Sequence, residues 1–103
     1  MVRVIAEVMF SPIGTATPSV SRYVVSALTV LKQHPEIKYE LNPMGTVLEG
    51  ERRARIDVIE EMNEAIFAAG AQRVGTTLKI DERRDKPASM QHKVDKVMEG
   101  LDR

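Results

Sequence analysis

The chain has 103 residues, of which 43% are hydrophobic and 29% charged, so its length and composition are those of one globular domain and exclude a disordered segment. We therefore expect residues 1–103 to form a single domain. Lysine plus arginine and aspartate plus glutamate number 15 each, and this zero net charge gives no electrostatic support for binding to nucleic acid or to an anionic membrane. It also removes the repulsion that keeps many small proteins monomeric, so we expect the chain to associate with itself.

The sequence contains no cysteine, which excludes disulfides, thiolate nucleophiles and cysteine-ligated metal centres. Arg3 and Glu7 interrupt its apolar N-terminus, so this stretch resembles neither a signal peptide nor a membrane span, and we expect a cytoplasmic protein. The two histidines, His34 and His92, have no second histidine three or four residues away. We therefore predict neither a metal site nor a catalytic site.

The first half of the chain predicts a strand, a helix and a hairpin. Residues 2–10 alternate, with every even position apolar, which is typical of a strand. The hydroxyl-rich loop SPIGTATPS follows, and Thr17 before Pro18 predicts the N-cap and first position of a helix that closes at Pro35. Two short alternating runs around a Pro-Met-Gly turn then predict a hairpin over residues 37–49.

The second half predicts a helix, a strand and a last helix. Glu51 lies in the first turn of a helix that Gly70 ends, and residues 74–81 alternate as a fourth strand. A final helix is expected from about Ser89. Its apolar stripe contains Met90, Val94, Val97 and Leu101.

The order β-α-β-β-α-β with an additional C-terminal helix predicts an α+β fold of the ferredoxin-like type. In this fold a four-stranded antiparallel sheet has two helices on one face and its first and third strands in the centre. The other face has no predicted cover, and the alternation places on it Arg3, Ile5, Glu7, Met9, Lys38, Glu40, Asn42, Val47, Glu49, Arg73, Thr77 and Lys79. Such a mixture of charged and apolar side chains is typical of a face buried against another subunit, a ligand or both.

Two carboxylates, Glu7 and Glu49, are predicted on the central strands of that face. Like charges on neighbouring strands repel unless a cation or a hydrogen-bond donor lies between them, which favours a site for a cationic or amino-bearing ligand. Pairing with Arg3, Lys38, Lys79 or a neighbouring subunit explains the same residues and is the more common reason for such a cluster. The sequence leaves both interpretations open.

The SPIGTATPS loop precedes a predicted helix N-terminus, where free N–H groups favour anions or polar ligand groups. It matches neither the dinucleotide-binding nor the phosphate-binding glycine-rich motif, and most such loops only cap a helix. An RNA-binding domain of this fold would need exposed aromatic residues on its central strands. Phe10 falls on the core side and the third strand has no aromatic residue, which excludes that function.

Four strings nevertheless make the chain resemble a known family over its whole length: PIGTATPSVSRYV, NPMGTVLEGE, AGAQRVGTTLKIDERRDK and SMQHKVDKV. They resemble the small single-domain thiamine-binding family, which is related to the YkoF-type proteins that bind thiamine or its hydroxymethylpyrimidine part. The resemblance implies ferredoxin-like subunits that pair edge to edge and stack sheet on sheet into homotetramers. It implies no catalytic activity and no cofactor beyond the ligand.

The resemblance also implies the ligand-binding residues. Those that stand in the matched strings are Gly14, Thr15 and Ser19 in the first loop, Asn42, Met44, Thr46 and Glu49 in the hairpin, and Lys79, Asp81 and Arg83 at the end of the fourth strand. A carboxyl or amide such as Glu49 or Asn42 can form hydrogen bonds with both the ring nitrogens and the amino group of an aminopyrimidine. Glu7 could offset the positive charge of the thiazolium. A phosphate on the ligand could be received by the first loop or by Arg83 and Arg84.

Several functions are compatible with these residues. The first is a non-enzymatic binder of thiamine or a related pyrimidine, assembled as a homo-oligomer. The second is a regulatory domain that senses an amino acid or another metabolite at a subunit interface. An enzyme of the dimeric α/β-barrel type would need an acid–base residue inside a cavity, and neither His34 nor His92 falls on a predicted strand. A pure interaction module is the last alternative.

Overall fold

A computed structural model describes residues 2–86 and 89–102. Its helices and strands are β1 (Arg3–Pro12), α1 (Ser21–Lys32), β2 (Lys38–Asn42), β3 (Gly45–Glu51), α2 (Arg52–Ala68), β4 (Val74–Glu82) and α3 (Met90–Leu101). The strands form one antiparallel sheet in the order β2-β3-β1-β4. The predicted α+β ferredoxin-like fold, with β1 and β3 in the centre, is confirmed.

The core lies between the sheet and the helix pair α1–α2. Even-numbered residues of β1 face the helices because side chains alternate along a strand, and Val4, Ala6 and Val8 are all buried. Leu48 from β3 is completely buried beside them. The helices contribute Tyr23, Ala27 and Leu31 from α1 and Val58, Ile59, Met62 and Ile66 from α2.

The sheet passes directly into α2. Gly50 has a φ of 148°, and Glu51 caps the helix by accepting a hydrogen bond from the Ala54 N–H at 2.9 Å. Arg55, one turn into α2, donates from Nε to the Glu49 carbonyl at 2.8 Å. Gly70, with a φ of 115°, follows the end of α2 as the sequence predicts.

The predicted start of α1 is wrong. The helix begins at Ser21, with Val20 at the N-cap, rather than at Thr17 and Pro18. The Thr17 hydroxyl accepts from the Ser19 N–H at 3.3 Å, and its carbonyl accepts from the Thr15 hydroxyl at 2.7 Å. These hydrogen bonds close a turn within the loop, so the same local chemistry that suggested a cap instead holds the loop together.

The last helix, α3, lies on the sheet face opposite to α1 and α2, which we call the open face. Its N-cap is Ser89, whose hydroxyl accepts from the His92 N–H at 3.1 Å. Of its apolar stripe only Met90 is buried. In the part of the chain that the structure describes, no helix combines the length and the apolar character needed to cross a bilayer.

Candidate functional site

An apolar pocket of about 340 Å³ lies between the start of α1, the end of β1 and the β2–β3 turn; we call it the hairpin pocket. Its volume is in the range of small-molecule sites. It is lined by Val8, Met9, Phe10, Ser11, Pro12, Val20, Tyr23, Val24, Ala27, Leu28, Leu41, Asn42, Pro43, Met44, Gly45, Thr46, Met62 and Ile66.

Local sequence positions each wall of the hairpin pocket. Val20, Val24 and Leu28 recur at a spacing of four, so they share one side of α1. The turn is held by Asn42, whose Oδ1 accepts from the Met44 N–H at 3.1 Å. Gly45 lets the turn approach β1, since a Cβ at this position would lie 2.9 Å from the Val8 carbonyl oxygen.

Of the residues that the structure describes, those lining the hairpin pocket carry no charged side chain. Its aromatic residues are Phe10 and Tyr23, and its polar residues are Ser11, Tyr23, Asn42 and Thr46. An apolar cavity with a few polar groups suits a flat, uncharged ring that forms a small number of hydrogen bonds. A bare charge inside it would lose its hydration without gaining a partner.

Three of the ligand-binding residues that the resemblance implies line this pocket: Asn42, Met44 and Thr46. Met44 is 76% exposed at the tip of the turn, whereas Thr46 is 6% exposed on the inner wall. Gly14, Thr15 and Ser19 lie in the loop that leaves the pocket at Pro12 and returns to it at Val20, but they are not themselves part of its wall.

The two carboxylates lie on the open face, away from the hairpin pocket. Glu7 is exposed and stands between Val47 of β3 and Lys79 of β4. Glu49 is 8% exposed. Its Oε1 lies 3.5 Å from Lys38 Nζ, and its Oε2 accepts from the Met90 N–H at 2.8 Å. Within one chain the sheet separates both carboxylates from a ligand in the hairpin pocket.

Asp81 and Arg83 line a second cavity, of about 580 Å³, between the start of β1, the end of β4 and the start of α3. Most of its charges are already paired. Lys93 bonds to Asp81 and lowers the pKa of that carboxyl. Arg83 donates two hydrogen bonds to the Asp85 carboxylate, from Nε to Oδ1 at 2.5 Å and from Nη2 to Oδ2 at 2.8 Å. These bonds lower the pKa of Asp85 to about 2. A phosphate here would have to compete with these carboxylates.

Sequence reasoning missed most of the hairpin pocket. Tyr23, Val24 and Leu28 have the spacing of a helix that packs on a sheet, and nothing in that spacing separates a core residue from a pocket residue. One signal was available: Val20 and Val24 extend the apolar stripe of α1 to the end that lies beside the hairpin turn. A stripe longer than the sheet beneath it indicates a gap or a partner.

The fold and this cavity together define a ferredoxin-like α+β domain with an apolar pocket below its hairpin. The profile of the family described as "Thiamine-binding protein" matches residues 6–98. The chain belongs to this family.

Relatives match along almost the whole chain. The UPF0045 protein YqgV of Bacillus subtilis is 43% identical over 100 residues, which cover 94% of this chain and 96% of YqgV. The crystal structure of the protein MJ1052 of Methanocaldococcus jannaschii is similar with a TM-score of 0.86 and 38% identity, over 96% of this chain and 99% of MJ1052. A Thermotoga maritima protein, described as a candidate thiamine biosynthesis or salvage protein, shares the fold at a TM-score of 0.77 and 21% identity, over 92% of this chain and 98% of that protein.

Proposed function

We propose that this protein binds thiamine, or its hydroxymethylpyrimidine part, in the hairpin pocket and performs no chemistry on it. Membership of the thiamine-binding family supports the ligand class, as does the description of the Thermotoga maritima protein that shares the fold. The observation that carries the assignment of the pocket is that Asn42, Met44 and Thr46 line an uncharged cavity of about 340 Å³.

The charge distribution sets the orientation of the ligand. The neutral aminopyrimidine enters the pocket, where the Asn42 and Thr46 side chains can exchange hydrogen bonds with its ring nitrogens and amino group. Tyr23 and Phe10 supply aromatic contact area. The thiazolium cation stays at the mouth, beside the exposed Met44, because none of the described residues lining the interior is a carboxylate.

The protein acts as a cytoplasmic homo-oligomer in this proposal. Zero net charge favours association, and the open face carries the apolar residues Ile5, Met9 and Val47 beside charged ones. A neighbouring subunit covering this face would remove these apolar residues from water.

Calorimetric titration of thiamine and of hydroxymethylpyrimidine into the purified protein tests the proposal. We expect saturable heat with both ligands. Thr46→Val keeps the shape of the side chain and removes a hydroxyl from the pocket wall, so we expect it to weaken binding by about fivefold, which is the loss of about 1 kcal/mol for one hydrogen bond.

Thr77→Val is the matched control, because it makes the same substitution on the open face of β4 and should leave the affinity unchanged. An absence of heat at millimolar ligand would contradict thiamine binding. Saturable heat with an amino acid in place of thiamine would favour the metabolite-sensing alternative.

A further inference from the structure

The cavity between the start of β1, the end of β4 and the start of α3 has an excess of positive charge, and we call it the cationic cavity. Its volume is about 580 Å³, and its charged lining residues are the basic Arg3, Arg83, Arg84, Lys86 and Lys93 and the acidic Asp81 and Asp85. Five basic side chains against two carboxylates leave three positive charges, in a chain whose net charge is zero. Glu82 bonds to Arg84 beside the cavity, but it also pairs with Arg52, so the excess remains.

Negative charge is gathered in a different part of the molecule. A third cavity, of about 930 Å³ beside α2, is lined by the carboxylates Asp57, Glu60, Glu61 and Glu64. None of the described residues that line it is a lysine or an arginine. The neutral chain is therefore polarised, and a cleft lined by one sign of charge concentrates ligands of the opposite sign.

The cationic cavity has basic groups that an anion can reach. Arg3 and Lys86 form no ion pair with any other described residue. Arg83 is paired with Asp85, two positions along the chain, whose side chain is 65% exposed. Exposed ion pairs of this kind contribute little to stability, so a stronger anion can exchange with the carboxylate.

We infer that the cationic cavity binds a small polyanion that carries a diphosphate group, at a second ligand site separate from the hairpin pocket. The two hydrogen bonds from Arg83 to Asp85 have the fork geometry that arginine also uses with phosphate oxygens. A single phosphate group carries a charge of about −1.5 to −2, which is less than the excess of the cavity, whereas two joined groups match it. The diphosphate displaces the Asp85 carboxylate from Arg83 when it binds.

The cationic cavity and the hairpin pocket lie at opposite ends of β1. Residues 2–5 line the first and residues 8–12 line the second, so their centres are about 20 Å apart along the strand. A phosphate group on a pyrimidine held in the hairpin pocket does not reach Arg83 of the same chain. The inference therefore goes beyond the proposed function and does not depend on thiamine binding.

Calorimetric titration of inorganic diphosphate into the purified protein tests the second site. We expect saturable heat, and weaker binding of inorganic phosphate. Arg3→Gln should weaken diphosphate binding about tenfold, which is the loss of one charge-assisted hydrogen bond. Asp85→Asn should strengthen binding several-fold, because it removes the negative charge that competes for Arg83.

The matched controls are Arg53→Gln and Asp57→Asn. They make the same two changes of charge in an exposed ion pair of α2 that lies outside the cationic cavity, and both should leave the diphosphate affinity unchanged. Equal effects of Arg3→Gln and Arg53→Gln would overturn the site, because they would mean that the anion senses only the overall charge. An absence of saturable heat at millimolar diphosphate, or phosphate binding as tight as diphosphate binding, would overturn it as well.

A titration of diphosphate at saturating thiamine separates this inference from the proposed function. We expect an unchanged diphosphate affinity, whereas competition between the two would show one shared site and overturn the second one. A protein that binds diphosphate but not thiamine would contradict the proposed function alone. ADP and thiamine diphosphate distinguish the sources of the group: equal affinities for both and for inorganic diphosphate support recognition of the diphosphate alone, and tighter binding of either identifies the organic part that the site also accepts.

Discussion

Both carboxylate oxygens of the buried Glu49 have partners within the same chain. One oxygen accepts the first peptide N–H of α3 at 2.8 Å, where the positive end of the helix dipole favours a negative charge. The other oxygen faces Lys38 Nζ at 3.5 Å. Both oxygens therefore have partners within the chain, and these structural contacts explain why a carboxylate is buried here.

Asp85 and Arg83 allow a prediction about pH. Arg83 lowers the pKa of Asp85 from 3.8 to about 2. Because the pKa is lower in the folded protein, the pair adds stability above pH 3.8, and this contribution declines as the pH falls and is absent below about 2. The pair is exposed to solvent, so its contribution is small.

Carbon-13 NMR of the Asp85 carboxyl during an acid titration measures this directly. In the wild type we expect Asp85 to remain ionised to well below pH 3.8, and in Arg83→Gln we expect the midpoint to return towards 3.8. Arg84→Gln is the control, since Arg84 bonds to Glu82 rather than to Asp85. An identical Asp85 titration in the wild type and in Arg83→Gln would show that the pair does not persist in solution.

At the scale of elements, the junction of β3 and α2 depends on Gly50. Its φ of 148° is one that other residues rarely adopt, and a Cβ there would lie 2.4 Å from Arg55 Nε, which bonds to the Glu49 carbonyl. We expect Gly50→Ala to lower the free energy of unfolding by about 1–3 kcal/mol because it strains the backbone and displaces Arg55.

Urea denaturation of Gly50→Ala and Gly100→Ala provides the comparison. Gly100 lies in α3 with no other atom within 4 Å of an added Cβ, so its replacement should leave stability unchanged or raise it by up to about 1 kcal/mol through helix propensity. Equal effects of the two substitutions would mean that the junction tolerates a side chain at Gly50.

The helices and strands differ in how accurately the sequence predicted their positions and ends. Strand β1 and helix α3 were predicted well because their apolar periods are long and regular. The start of α1 was predicted wrongly because a threonine such as Thr17 can either cap a helix or close a local turn. The two roles use the same local hydrogen bonds, and they differ only in whether the backbone after Ser19 is already helical. The hydrogen bond between the Glu49 side chain and the Met90 N–H joins residues 41 positions apart, so no local sequence pattern predicts it.

For the whole molecule, alternation along the strands was enough to assign the two faces of the sheet. Ile5, Glu7 and Glu49 lie on the open face as predicted, because antiparallel register and a period of two leave little freedom. The hairpin pocket was not predictable in this way. Its walls are a helix end, a strand end and a turn, and the gap between them depends on how α1 packs, which the apolar pattern does not specify.

The family resemblance assigned to one ligand site residues that lie on opposite faces of the sheet in the structure. Asn42, Met44 and Thr46 line the hairpin pocket, whereas Glu7 and Glu49 lie on the other side of the sheet. The proposed ligand site in the pocket and the proposed subunit contact on the open face would account for both groups of residues without requiring them to meet in one chain.

The most direct test of the account is a map of the thiamine contacts by amide proton–nitrogen NMR during a titration. The account predicts that the amide signals of Tyr23, Met44 and Thr46 move together and saturate, while those of Glu7 and Thr77 on the open face stay in place. Shifts confined to the open face, with the hairpin pocket unchanged at saturating thiamine, would contradict it.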